Sequence, residues 1–296
     1  MNSNIQLVER ATGKIITETV MGNGALKFAY ETLLGHTLSG LLFNSAGLSK
    51  LLGVYYDSKL SKRSIASLAS IPGCNPQEAA LELDHYGCFN DFFTRKLKEN
   101  SRPRVKDENV IASPADGRVL VFENLKPTDA VPVKGARKTL NDLACCELEA
   151  DSYAVAVIRL APVDYHRFHF PCRCVQNMPA VVVRGKYHSV NPIAFKTHPD
   201  VYTENTRQIT RLESENAGAF YFIEVGAFGV GSIVQTSDVG THLQFDEKGF
   251  FKFGGSTVIL LFDNSRIDWC SDLLENSSKQ FETLLRQGEV IASVKM

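Results

Sequence analysis

A chain of 296 residues is long enough for one large domain, or for one domain with a smaller appendage. Hydrophobic content of 44% beside 22% charged residues is that of a packed globular protein and excludes a disordered chain. A formal net charge of -1 offers no basic excess for a nucleic-acid partner, and leaves any attraction to an anionic membrane to a local patch.

Residues 5–8 and 14–19 read as short strands around an Ala-Thr-Gly turn. From about residue 25 to 52 the period changes. Leu34, Leu38, Leu41, Leu42, Leu48 and Leu52 line one face of a helix, or of two helices broken near Gly47, and Lys50, Lys59, Lys62 and Arg63 follow. Such a face suits a helix packed on a core or one lying in the plane of a membrane. Residues 32–49 carry no formal charge, but ten of these eighteen are Thr, Gly, His, Ser or Asn. A spanning helix needs roughly 20 mostly apolar residues, so no span is expected. The N-terminus also lacks the charged and apolar regions of a signal peptide.

A helical pattern is expected over 78–83, and Phe89, Phe92, Phe93 and Leu97 recur at helical spacing. After Arg102-Pro103 the texture turns to strands. Runs at 119–122, 153–160, 180–183, 219–225, 232–235 and 257–262 are separated by Gly, Pro, Asn and Asp. That spacing argues for an antiparallel sheet or sandwich rather than βαβ units. A helical tail is expected from about Asp272 to Gly288, before a last short strand. The fold class read from this is α+β: an antiparallel, β-rich, sandwich-like core behind an N-terminal helical region.

Seven cysteines, an odd number with Cys145 and Cys146 adjacent, suggest a reducing compartment rather than a disulfide framework. Cys172-Arg-Cys174 is spaced more tightly than a structural zinc pair and has no second pair to complete it, so no metal is expected.

The tract that carries most chemistry is Phe253-Gly254-Gly255-Ser256-Thr257-Val258, where two glycines precede a Ser-Thr that opens an apolar run. It suits a plain turn into a buried strand. It also suits backbone self-cleavage, because glycine allows the geometry in which the Ser256 hydroxyl reaches the Gly255 carbonyl. Acyl transfer to Oγ, β-elimination and hydrolysis would leave a ketone at position 256. Such a ketone can form an imine with a substrate amine and take up the electrons left by departing CO2, so no external cofactor is needed.

Serine needs a base, and Asp164-Tyr165-His166-Arg167-Phe168-His169-Phe170-Pro171 offers two imidazoles. In a strand His166 and His169 point to opposite faces; in a helical turn they share one. Asp116, in Pro114-Ala115-Asp116-Gly117, suits either turn chemistry or the carboxylate of a Ser-His-Asp set.

Together these tracts resemble the phosphatidylserine decarboxylase family. The resemblance rests on Pro-Ala-Asp-Gly at 114–117, Tyr-His-Arg-Phe-His-Phe-Pro at 165–171, Ser-Val-Asn-Pro at 189–192 and Asn-Thr-Arg at 205–207. Val-Gly-Ala-Phe-Gly-Val-Gly-Ser-Ile at 225–233, Phe-Gly-Gly-Ser-Thr-Val at 253–258 and Phe92-Phe93-Thr94-Arg95 with Arg102-Pro103 complete it. The family often has Leu where this chain has Gly254, a change that leaves the nucleophile in place. The resemblance implies that Asp116, His169 and Ser256 form a maturation triad and that His166 handles the proton added after decarboxylation. It implies cleavage between Gly255 and Ser256, giving a β chain of residues 1–255 and an α chain of 256–296 whose Ser256 becomes a covalent pyruvoyl cofactor.

The implied substrate is phosphatidylserine, turned to phosphatidylethanolamine and CO2. Its acyl chains hold it in a bilayer, which favours a membrane role for the leucine face. The expected organisation is a membrane-associating region over 1–75 and a catalytic domain over 76–296, peripheral on the cytoplasmic side of the cell membrane, as a homodimer. Gly226 to Gly231, Lys134 and Arg207 are candidates for the lipid phosphate. The competing readings are a pyruvoyl enzyme of soluble amino acids, a phosphocarrier using His166 or His169, and a non-cleaving membrane- or partner-binding β-sandwich.

Overall fold

Two almost uninterrupted apolar runs sit at the centre of the fold. Tyr153–Leu160 and Ser256–Asp263 pair antiparallel along their whole length, with Ser256 opposite Leu160 and Asp263 opposite Tyr153. They are apolar over most of their length, Arg159 and the ends of Ser256–Asp263 apart, because both faces of the sheet are covered. On one face Ala156, Ile158, Val258 and Leu260 pack with Phe168, Phe222 and Phe251. On the other Val155, Val157, Ile259 and Leu261 meet Leu140, Leu143, Val201 and Tyr202 of two short helices. Each such aliphatic or aromatic side chain contributes about 1.5–3 kcal/mol on burial.

The computed structural model describes residues 5–18, 46–105, 107–133, 135–195, 197–227, 233–254 and 256–295. The two central strands belong to an 11-stranded sheet. On one side of them come Gly218–Gly226, Arg207–Ser214, Cys174–Gln176 and Gly240–His242, with Val181–Val183 also on Arg207–Ser214. On the other come Gly117–Leu125, Glu282–Leu285, Gln6–Glu9 and Lys14–Thr17. The neighbours are antiparallel except Gln6–Glu9, which lies parallel to Glu282–Leu285, so the large sheet is mixed rather than wholly antiparallel. A three-stranded sheet of Ile233–Gln235, Glu247–Phe251 and Arg167–His169 brings Phe168 and Phe251 to the core. A second holds Ile267–Trp269, Val290–Val294 and Val110–Ala112.

Three helical expectations change. The pattern over 78–83 resolves into 3-10 turns, Pro76–Glu78 and Leu83–His85, because Ala79 between them bridges to Leu97. That bridge also takes Leu97 away from the helix Phe89–Phe93, which ends where the Thr94 hydroxyl turns back to the Asn90 carbonyl at 2.8 Å. The expected tail helix stops at Ser278. Gln280 adopts a left-handed φ of 63°, and Glu282–Leu285 then forms a strand that buries Thr283 and Leu285. Among the leucine-face positions, Leu34, Leu38, Leu41 and Leu42 and the side chain of Leu48 lie outside the described residues. The described helix nearest them is Ala46–Tyr56. No described helix is long and apolar enough to cross a membrane.

Candidate active site around Ser256

Ser256 opens its strand fully buried, opposite Gly226 on one side and Leu160 on the other. The chain reaches it through Gly254, whose φ of 150° is disfavoured for any residue with a Cβ. Gly255 lies outside the described residues.

The loop after Tyr153–Leu160 turns tightly because the Asp164 carboxylate accepts the Ala161 N–H at 2.6 Å and the Asp164 N–H returns to the Ala161 carbonyl at 2.9 Å. That turn delivers His166 beneath Ser256. Nε2–H of His166 donates to the Ala161 carbonyl at 3.0 Å, which leaves Nδ1 to accept the Ser256 hydroxyl at 3.2 Å. The ring stacks on Phe93, with centroids 3.9 Å apart. Burial, reinforced by the nearby Arg95 charge, pulls the His166 pKa down to about 3, so the imidazole is neutral. Arg95 itself is buried, donating to the carbonyls of Val163 and Asp164 at 3.2 Å each.

His169 closes the strand Arg167–His169 and faces elsewhere. Its Nδ1–H donates to the Phe245 carbonyl at 2.9 Å, and Nε2 accepts from the Tyr165 hydroxyl at 3.1 Å. Burial lowers its pKa as well. Asp116 receives both ends of the Arg102 guanidinium, at 2.8 and 2.5 Å, and the Gln287 N–H at 2.8 Å. Arg102 also bonds Glu78 at 2.7 Å and lies over the Tyr165 ring, 5.9 Å from its centroid. The structure therefore joins Ser256 to His166, and groups Asp116 with His169 through Arg102 and Tyr165. Among the described residues neither Asp116 nor His169 hydrogen-bonds to Ser256.

A buried ionic network underlies the site. Arg118 pairs with Asp164 and, at 2.7 Å, with Glu18; Arg159 pairs with Glu18 at 2.9 Å and Glu282 at 2.5 Å. Burial alone would push the Glu18 carboxyl up, but Arg159 and Arg118 more than offset it and hold it below the usual range. A second buried pair joins Lys248 of the strand Glu247–Phe251 to Glu224 of the strand Gly218–Gly226 at 2.6 Å, with Lys248 also on Thr210 and Gln235.

Of the anion candidates, Arg207 is spent on the carbonyls of Asp142, Leu143 and Thr203, while Lys134 and positions 228–231 lie outside the described residues. Cys172 and Cys174 are buried, and burial raises both thiols, Cys172 to about 12, which disfavours the thiolate a metal needs. His188, His198 and Glu204 bring ligand atoms within 4.8 Å of one another. The two imidazoles stack at 3.9 Å and 19°, and Glu204 is paired with Lys186 at 3.3 Å.

Sequence reasoning assigned no role to Phe93, Asn90 or the Ala161 carbonyl. Only the Phe-Asn-Asp-Phe-Phe run, with its aromatic spacing, could have pointed to the first two.

A sequence model described as phosphatidylserine decarboxylase matches residues 89–293. A phosphatidylserine decarboxylase proenzyme of Clostridium novyi is 39% identical over 280 residues, 93% of this chain and 95% of that one. Its counterpart in Clostridium kluyveri is 39% identical over 291 residues, covering 97% and 98%. One from Fusobacterium nucleatum is 37% identical over 300 aligned positions, covering 98% of each.

Proposed function

The chain belongs to the phosphatidylserine decarboxylase family, and from that premise we propose that it is a carboxy-lyase that converts phosphatidylserine to phosphatidylethanolamine and CO2. We propose further that it is a proenzyme which makes its own pyruvoyl group from Ser256. The observation that carries this reading is a buried serine hydroxyl, next to a glycine pair, held at 3.2 Å by a neutral imidazole whose tautomer is fixed.

In processing, Oγ of Ser256 adds to the Gly255 carbonyl, the C–N bond breaks and the acyl group passes to oxygen. Removal of the Cα proton then expels residue 255 as its carboxylate and leaves dehydroalanine at 256. Water displaces the nitrogen as ammonia. The products are residues 1–255 and 256–296, the smaller held by strand pairing on both sides of 256–263. The surroundings fit the group: position 256 is fully buried, and the polar side chain on its hydroxyl is uncharged.

When formed, the pyruvoyl ketone supplies the electron sink for decarboxylation. His166 Nδ1 stands at that position as the group assigned to the proton exchanged for CO2, and, being unprotonated in the precursor, it would have to take up a proton before delivering one there. Because its pKa is near 3, its hydrogen bond orients the serine hydroxyl rather than ionising it. Asp116 and His169 are assigned to processing on their motifs.

The lipid substrate calls for contact with a bilayer. Leu51, Val54, Tyr55 and Leu60 are exposed on 46–62, beside Lys59 and Lys62, a composition suited to an anionic lipid surface. We propose that residues 1–75 hold the membrane-associating part, with their strands Gln6–Glu9 and Lys14–Thr17 built into the catalytic sheet, and that 76–296 form the catalytic part, peripheral on the cytoplasmic face of the cell membrane.

Intact-mass spectrometry under denaturing conditions tests the reading. Two chains split at 255–256, the smaller blocked by a pyruvoyl group, are expected, with Ser256→Ala uncleaved. CO2 release from phosphatidylserine vesicles then tests the activity. A folded chain that stays whole would leave the non-cleaving membrane- or partner-binding β-sandwich.

A further inference from the structure

The approach of the chain to Ser256 is fixed by a residue far from it in sequence. Asn90, buried in the helix Phe89–Phe93, accepts the backbone N–H of Phe253 on Oδ1 at 3.0 Å. Its Nδ2 donates to Asp57 Oδ1 at 2.9 Å, and the other oxygen of Asp57 takes Lys252 Nζ at 2.8 Å. The flipped amide would set NH2 against an N–H and a carbonyl against a carboxylate, so the orientation is unique. Around this polar link the Phe253 ring sits edge-on among Tyr56, Phe89 and Phe93, at 4.6, 5.0 and 5.2 Å. Phe93 is the ring that stacks on His166.

One carboxamide therefore ties the backbone two residues before the Gly255–Ser256 bond to the helix that seats His166. We infer that Asn90 is a positioning residue for self-processing, oriented by Asp57, which holds residues 253–254 where the chain approaches Ser256. The inference rests on the self-processing reading above. It explains a polar side chain, 3% exposed, on a helix otherwise packed with phenylalanines. It also links cleavage to the segment that carries the exposed Leu51, Val54 and Leu60, since Asp57 lies directly after the helix Ala46–Tyr56.

The test follows cleavage of the freshly synthesised full chain by pulse-chase in cell-free translation, with melting temperatures measured in a Ser256→Ala background. Asn90→Leu and Asn90→Asp should each slow cleavage by about tenfold or more, as displaced reacting groups do. The first removes the acceptor; the second keeps it but faces Asp57 with a like charge. Asp57→Asn combined with Asn90→Asp restores a donor–acceptor pair and should recover most of the rate, a rescue that general loosening of the fold would not give. Wild-type cleavage rates in Asn90→Leu overturn the inference, as does a double variant no faster than Asn90→Asp. Cleavage of Ser256→Ala at 255–256 would instead overturn the self-processing reading itself.

Discussion

The Ser256 hydroxyl meets the one nitrogen of His166 that has no proton to give, because the Ala161 carbonyl holds the proton on the other nitrogen at 3.0 Å. An imidazole held neutral by burial is a weak acceptor for a serine proton but is well placed beside the carbon at position 256. His166→Ala should therefore still split into two chains, about tenfold more slowly through loss of orientation. Its mature form should lose at least about a hundredfold in CO2 release, the usual worth of a positioned proton carrier. Mass spectrometry and labelled-carboxylate assays on one preparation read both effects. An intact His166→Ala chain would assign the imidazole to cleavage instead.

Arg102 answers two carboxylates, Asp116 at 2.5 Å and Glu78 at 2.7 Å, with little exposure of any partner. Removing the guanidinium in Arg102→Met strands both acids. Losing one partner of a buried pair costs about 3–5 kcal/mol, so the urea midpoint should fall clearly. If Asp116 and His169 serve processing, Asp116→Ala and His169→Ala should arrest cleavage by more than about a hundredfold, Asp116→Ala with a loss of stability like that of Arg102→Met. Time-resolved gels beside circular dichroism separate arrest from unfolding.

What could be read from the sequence is what depends on neighbours along the chain. The strand after Gly255 was legible because 257–262 is an apolar run between a glycine pair and an Asp-Asn turn. Which histidine meets Ser256 was not, since it is set by the Ala161–Asp164 turn and by a Phe93 ring arriving from a different helix. The parallel pairing of Gln6–Glu9 with Glu282–Leu285 is a contact between chain ends that no local period encodes. The tail shows the converse: it is helix over Ser271–Ser278 as its spacing predicts, but a left-handed Gln280 and burial of Thr283 and Leu285 turn the remainder to strand.

Acid should destabilise the fold well above pH 4. His166 is neutral when folded, with a pKa of about 3, and ordinary at about 6.5 when unfolded. Between those values the unfolded chain binds the extra proton, so stability rises with pH and is lost as pH falls from 6.5 toward 3. The slope reaches about 1.4 kcal/mol per pH unit for one such group. Burial lowers His169 in the same sense. The Glu18 carboxyl, depressed by Arg159 and Arg118, adds stability above its unfolded value that disappears as pH falls through its folded one. Urea midpoints at pH 7.5, 6.5, 5.5 and 4.5 should fall in order, and His166→Asn should flatten the decline between 6.5 and 5.5.

The membrane reading makes the most demanding prediction, because it separates where the substrate resides from how it reacts. Leu51, Val54 and Leu60 are 70%, 72% and 66% exposed, a poor arrangement in water unless another surface covers them. Inserting three such side chains into an acyl boundary gains about 25 cal/mol per Å² of apolar area, enough in sum to change partitioning by more than tenfold. Leu51→Ser, Val54→Ser and Leu60→Ser together should weaken co-sedimentation with phosphatidylserine vesicles by at least about tenfold. Turnover of a short-chain, water-soluble phosphatidylserine should change less than about twofold, since the three side chains are solvent-exposed whereas Ser256 is fully buried. Raising salt should weaken what binding remains, because Lys59 and Lys62 would then carry it. Equal losses on vesicles and on the soluble lipid would trace the defect to the reacting site and leave the exposed leucines without a membrane role.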